Sequence, residues 1–539
     1  MAAVALLAAG CGSGDSDESE TTAAGKTGGE VVIQGCNPEN PLVPSATSET
    51  CGGNVIDEVF AKLVHYDPET AAPSNDVAES IETSDNQNFT VKLKEGYKFH
   101  DGTDVKAKNF VDAWNYAAYG PNAQGGGYFM SPIEGFADLQ CTGEGDDPCA
   151  GAGNAKADKM SGLVVVDDTT FTIKTSEKVG NLPVRLGYSA FAPLPDVFFT
   201  DPVAFGDKPI GNGPFKLDSW TKEQSIVLSK FADYSGEFAG TLDKVTFKIY
   251  LDADAAYNDL LANNLDIANQ IPPSALIDDK YKADLPERNT QREAGGMQYL
   301  QIAGPEVDPS LADPKIRSAI SMAIDRDTII KQIFNGARVP ATGWVSPVVD
   351  GFKADQCGES CVFDPEKAKA KLAEAGGYKG DGLTITYNAE GGHKEWTEAS
   401  CNSIKQTLGI ECTTVSKVDF ATMLKDLSDR KVKGMWRLAW QMDYPSIENF
   451  LTPIYGTNAD SNYMDYSNPA FDQLLVDAAA ATDPAQSNAL YQEAEALLAV
   501  DLPVLPMWYT KSTMGWSEKV ATMKITAFGT IDLASVTLK

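Results

Sequence analysis

One carboxylate stands out by the company it keeps. In the stretch MWRLAWQMDYPSIENF, Met435 to Phe450, Asp443 closes a run of tryptophan, leucine, alanine and methionine just ahead of a Tyr-Pro turn. An ionised aspartate removed from water without a partner costs on the order of several kcal/mol. Three arrangements would satisfy it: contact with water, a protein cation, or a cation brought by something outside the chain. Arg437, six residues upstream, is one candidate partner within the chain.

Bond-making chemistry is hard to find elsewhere. No G-x-S-x-G elbow, P-loop, H-E-x-x-H or Rossmann glycine pattern occurs. PIGNGPF at 209–215 has no following Lys-Ser/Thr and reads as a tight turn rather than a phosphate cradle. The three histidines, His65, His100 and His393, sit in LVHYD, KFHDGT and GGHKEW, contexts that suit structural residues as well as catalysts. Acidic residues are too numerous for one pair to be singled out. The expectation is a protein that is not an enzyme and holds no cofactor, with a hydrolase lacking a recognised motif as the alternative.

Composition narrows the partners. With 76 acidic against 44 basic residues the formal net charge is −32, which repels phosphate backbones and excludes nucleic acid as a partner. At 539 residues and 43% apolar content the chain can build two or three packed domains. No apolar run reaches the roughly 20 residues of a membrane-spanning helix.

Nine cysteines bear on the compartment. Setting Cys11 aside, eight remain as neighbours along the chain: Cys36 with Cys51, Cys141 with Cys149, Cys357 with Cys361, Cys401 with Cys412. Four local disulfides in an oxidising compartment is the economical reading, although many connectivities are possible. Zinc competes poorly, because paired Cys-x-x-Cys knuckles are absent and histidines are few, so no metal site is expected.

Strands and helices both have to position these residues. NFTVKL alternates Phe89, Val91 and Leu93; GLVVVDDTTFTIKT sets an Asp-Asp-Thr turn between two β-rich arms; DKVTFKIYLD alternates Val245, Phe247 and Ile249. Helices open on Asp-Pro or Asn-Pro. One is predicted from Asp313-Pro314 to Gly336, one from Asp364-Pro365 to Gly376, and two in tandem from Asn468, the second capped by Asp483. Strands with scattered helices, then a helix-rich half, predict an α/β protein of at least two lobes.

Two resemblances add to this reading. The start, MAAVALLAAGCGSGDSDESETTAAGKTGGE, resembles the end of a bacterial lipoprotein signal peptide, though it has no basic n-region. That likeness implies a signal segment 1–11, lipidation at Cys11 and a flexible tether over 12–30; an ordinary N-terminus with a stray cysteine is the alternative. FTVKLKEGYKFHDGTDVKAKNFVDAW, Phe89 to Trp114, resembles the signature region of the peptide- and nickel-binding solute-binding proteins of ABC importers, family 5. PIGNGPFKL, with Asn212 where that family has threonine, DPKIRSAISMAIDRDTI, FDPEKAKAKLAEAGG and the Asn-Pro-Ala-Phe-Asp stretch match it in order.

The resemblance implies a periplasmic-binding-protein fold with mixed sheets: two lobes around a hinge, plus a family-specific subdomain. Lobe I would comprise 31–60, 190–295 and 506–539, the subdomain 61–189, and lobe II 296–505. It further implies, within the oligopeptide-binding branch, a peptide enclosed between the lobes as an added β-strand, which supplies affinity through main-chain groups common to all peptides. Asp443 falls where the family pairs a carboxylate with the peptide's α-ammonium. Arg437 and His393 fall where relatives reach the peptide's carboxylate. Ala439, Trp440 and Gln441 would form one strand edge, the segment around Thr50 the opposite edge, and Trp508 or Tyr509 would line the pocket. Two alternatives stay open: Arg437 as the structural partner of Asp443, and His393 as a solvated loop residue. The implied whole is a monomeric, lipid-anchored protein on the outer face of the cytoplasmic membrane. It would deliver oligopeptides to the permease subunits of an ABC importer. A binder of sugar, opine or nickel chelate in the same fold is the other reading.

Overall fold

The computed structural model describes residues 28–47, 49–141, 149, 155–389 and 392–539. The expected signal segment with Cys11, and the tether as far as residue 27, lie outside them. Among the described residues no helix is long and apolar enough to cross a membrane.

A mixed sheet of eleven strands runs through both lobes. Its strands are β1 (Glu30–Gly35), β2 (Phe215–Thr221), β3 (Ser225–Lys230), β4 (Lys244–Ile249), β5 (Ile267–Ala268), β6 (Asn289–Ile302), β7 (Arg338–Pro340), β8 (Leu383–Asn388), β9 (Cys412–Lys417), β10 (Met435–Gln441) and β11 (Val504–Trp516). The order across the sheet is β9-β8-β10-β6-β11-β5-β1-β4-β3-β2, with β7 on β11. Parallel pairs (β8 with β9 and β10, β1 with β4 and β5) mix with antiparallel ones. A separate four-stranded antiparallel sheet is built from Ala78–Thr83, Asn88–Leu93, Thr170–Lys174 and Leu163–Val165. The alternation of Phe89, Val91 and Leu93 gives the burial pattern that period-two side chains require.

The apolar side chains sort into two large cores. One joins residues between Val31 and Phe247 to the C-terminal stretch from Met514 to Leu538. The other runs from Met297 to Tyr509 and encloses Trp344, Trp396, Trp436 and Trp508. β6 pairs with β11, which itself runs from the second core at Trp508 and Tyr509 into the first at Met514 and Trp516. Their ladder shifts register between Glu293 and Met297, opposite Lys511 and Tyr509, so Ala294, Gly295 and Gly296 bulge against Thr510 alone. A Cβ on Gly295 would strike the Met442 side chain, and one on Gly296 the Thr510 hydroxyl, so at these two positions any larger residue must displace a neighbouring side chain.

The capping signals place most helix starts. Asp313, Asp364, Asn468 and Asp483 each accept a hydrogen bond from a backbone N–H of the first turn. The helix expected from Asp313 to Gly336 is instead two, Pro314–Met322 and Arg326–Ile333. Asp325 caps the second through Thr328 N, and buried Arg326 donates to the carbonyls of Ser321 and Pro506, which fixes the break. In PIGNGPF, Asn212 exchanges two 3.1 Å hydrogen bonds with the backbone of Ala61, so the turn spends its polar side chain internally. Disulfides join Cys36–Cys51, Cys141–Cys149, Cys357–Cys361 and Cys401–Cys412.

Candidate ligand-binding site

Strand β10 offers an open edge. One side pairs with β6 along its whole length, from Gln441 opposite Gly296 to Met435 opposite Ile302. On the other side β8 reaches only Met435 and Trp436. From Arg437 to Gln441 this second edge has no strand partner among the described residues. Ala439 and Gln441 are exposed and Trp440 half-buried. The Trp440 indole N–H donates to Asn449 Oδ1 at 3.1 Å, and Gln441 Nε2 donates to the Phe528 carbonyl at 3.0 Å.

Asp443 follows directly. Its backbone N–H donates to Asn449 Oδ1 at 2.9 Å, and Asn449 Nδ2 donates to its carboxylate at the same distance. Asn449, 1% exposed, lies in the helix Ile447–Tyr455, whose cap, Ser446, follows the Tyr-Pro turn. One side chain thus holds Trp440 and both ends of Asp443. The Tyr188 hydroxyl adds a second hydrogen bond to the carboxylate. No cation joins them among the described residues. Deep placement, reinforced by the like charge of Glu448, pushes the carboxyl up to about 7 against the two hydrogen bonds. The side chain is nonetheless only partly covered, because it faces a cavity.

Arg437 is elsewhere. It is buried, donates from Nε to Asn388 Oδ1 at 2.8 Å, and lies over the Phe420 ring at 5.3 Å. His393 stands near it: burial and then the Arg437 charge lower its imidazole to about 3, so it is neutral at pH 7. Its Nδ1 accepts from the Trp396 indole N–H at 3.2 Å, which leaves the proton on Nε2. The structure therefore brings Arg437 and His393 together and keeps them apart from Asp443.

The remaining candidates fall differently. Thr50 is exposed in the first turn of the helix Thr50–Val59, which Glu49 caps through Gly52 N, so its segment is helical where a strand edge was expected. Trp508, 2% exposed, packs edge-on against Trp396 and beside Phe334. Tyr509 is equally buried and donates toward the Gly343 carbonyl. Neither is open to the cavity beside Asp443.

Sequence reasoning missed a buried network one turn on. Glu448 pairs with Arg185 at 3.2 Å, accepts from the Tyr444 hydroxyl at 2.7 Å and from Asn181 Nδ2 at 3.2 Å. Arg185 also donates to Asn181 Oδ1 and lies over the Tyr444 ring. Although burial disfavours its charge, Glu448 and Tyr444 hold the guanidinium proton more tightly than usual. This network spans the two cores: Tyr444 packs with the first, while its neighbours Met442 and Ile447 pack with the second. Gly180 N, donating to Ala479 O at 2.8 Å, extends the same seam.

Two cavities flank the network. One, of about 550 Å³, is lined by Asp443, Tyr128, Phe129 and the loop through Asp460. The other, of about 400 Å³, shares Arg185, Glu448 and Thr452 with it and reaches Tyr491.

Comparison with known proteins bears on the family and the fold. The family profile described as bacterial extracellular solute-binding proteins, family 5 Middle, matches residues 72–462. The periplasmic oligopeptide-binding protein OppA of Escherichia coli is 27% identical over 467 residues, 85% of this chain and 82% of its own length. The oligopeptide-binding protein OppA of Bacillus subtilis is 25% identical over 536 residues, 94% of this chain and 92% of its own. Among solved structures, the oligopeptide-binding protein AppA of Bacillus subtilis in complex with a nonapeptide superposes with a TM-score of 0.76 at 22% identity, covering 96% of this chain and all of that one (100%).

Proposed function

Because the chain belongs to the bacterial extracellular solute-binding proteins of family 5, we propose that it binds oligopeptides between its lobes and presents them to the permease of an ABC importer. The observation that carries this reading is a deep carboxylate, Asp443, at the end of a strand edge, with neither a cation nor a strand partner for them among the described residues. A peptide laid along Arg437–Gln441 would take up the edge's free main-chain groups, and its α-ammonium would meet Asp443. The ligand then runs antiparallel to β10, its carboxylate pointing toward Arg437 and the Nε2 proton of His393. The six residue steps from Arg437 to Asp443 span roughly 20 Å of extended chain, a length that suits a short peptide better than a sugar or a nickel chelate. On this reading the peptide is held and released unchanged. The protein works as a monomer outside the cytoplasmic membrane, tethered by lipid on Cys11.

Asp443→Asn tests the reading. Removing the charge while keeping the shape strands the ligand's ammonium and weakens binding by about 3 kcal/mol, more than a hundredfold. Acetylating the peptide's N-terminus does the same to the wild type and adds little to the variant. Titration calorimetry showing equal affinity for free and acetylated peptides would overturn the assignment.

A further inference from the structure

Resting on that reading, we propose that the protein selects peptides whose first side chain is basic, and that Asp460 makes the selection. The cavity of about 550 Å³ opens beside Asp443, the end at which the proposed reading sets the peptide's first residue, and falls in the size range of ligand pockets. Four carboxylates line it, Asp443, Glu448, Asp460 and Asp472, against a single cation, Arg185. Arg185 is committed to Glu448 and Asn181. Asp472 accepts from the backbone and hydroxyl of Thr457 at 3.0 and 2.6 Å. Asp443 is taken by the α-ammonium. Asp460 alone is left with no hydrogen bond or ion pair among the described residues.

The walls suit a long cationic side chain. Tyr128 and Phe129 line it, stacked on one another at 4.2 Å, and Tyr188 packs against Phe129 at 4.3 Å outside the lining. Tyr128 shares this lining with both Asp443 and Asp460. Flat aromatic surface beside carboxylates favours an ammonium or guanidinium, while Pro453, Leu475 and Val476 cover an aliphatic stem. In the adjoining cavity Tyr491, 2% exposed, carries a hydroxyl with no hydrogen-bond partner, a further polar group without a protein mate. A neutral first side chain would leave Asp460 to water, whereas an acidic one would add a like charge.

Titration calorimetry with two peptides that differ only at the first residue, lysine against norleucine, tests this. The lysine peptide should bind about tenfold more tightly, and Asp460→Asn should shrink that ratio to roughly twofold without changing the norleucine affinity. Equal affinity of the two peptides, with acetylation still abolishing binding, would overturn the selection and leave peptide binding intact. A lysine preference untouched by Asp460→Asn would overturn the role of Asp460. Failure of every peptide to bind would sink the underlying reading instead. Because Asp460 is exposed, a matching thermal transition of the variant shows that any change is local.

Discussion

Asp443 titrates where physiology can reach it. Its carboxyl, at about 7 in the unliganded protein, must be ionised to hold an ammonium. Below pH 7 each peptide bound therefore expels a proton, and affinity falls about tenfold per pH unit. Above about pH 8 the peptide's own α-amino group loses its charge. Affinity should peak between these limits, and calorimetry at pH 5.5 in buffers of different ionisation heat should register one proton released. Stability moves the other way. The folded carboxyl lies above its ordinary 3.8, so between 3.8 and 7 the folded state binds more protons than the unfolded one and loses stability as pH rises. Asp443→Asn should raise the unliganded melting temperature at pH 8 and leave it nearly unchanged at pH 4. This residue was legible in the sequence because a lone charge in an apolar run demands a partner. Asn449, Tyr188 and the Arg185–Glu448 pair were not, since their meaning depends on contacts with segments up to 263 residues away, as between Arg185 and Glu448.

At the scale of elements, the bulge in β6 and the site are one object. Met442 N donates to Gly295 O at 2.8 Å, and the Met442 side chain fills the space that a Cβ on Gly295 would claim. Gly295→Val should displace Met442 and with it the neighbouring Asp443, weakening peptide binding by about tenfold or more while the circular dichroism spectrum stays unchanged. Unaltered affinity would show the bulge and the carboxylate to be uncoupled. The helix starts here were readable because Asp-Pro and Asn-Pro act locally. The break at Met322 was not, for it depends on Arg326 reaching a carbonyl of Pro506. Thr50 was misplaced for a related reason: the resemblance suggested a strand edge, but the Glu49 carboxylate caps a helix.

At the scale of the whole molecule, charge and topology matter most. A net charge of −32 surrounds the site proposed to hold a cation, so association with basic peptides should be fast at low ionic strength. Stopped-flow mixing from 10 to 300 mM salt should show the association rate for a lysine-rich peptide falling several-fold while dissociation changes less. The two-lobed α/β architecture was readable from the order of strand and helix signals; the single sheet passing through both lobes was not, because register between β6 and β11 is a long-range property. That sheet also sets a timetable. The core begun by Val31 is closed by residues from Met514 to Leu538, so the first lobe to leave the ribosome is the last to be completed. Pairings this distant in sequence form slowly, and the growing chain stays open until nearly its final residue. For an exported protein, that delay leaves the chain in a threadable state during the interval when it must cross the membrane.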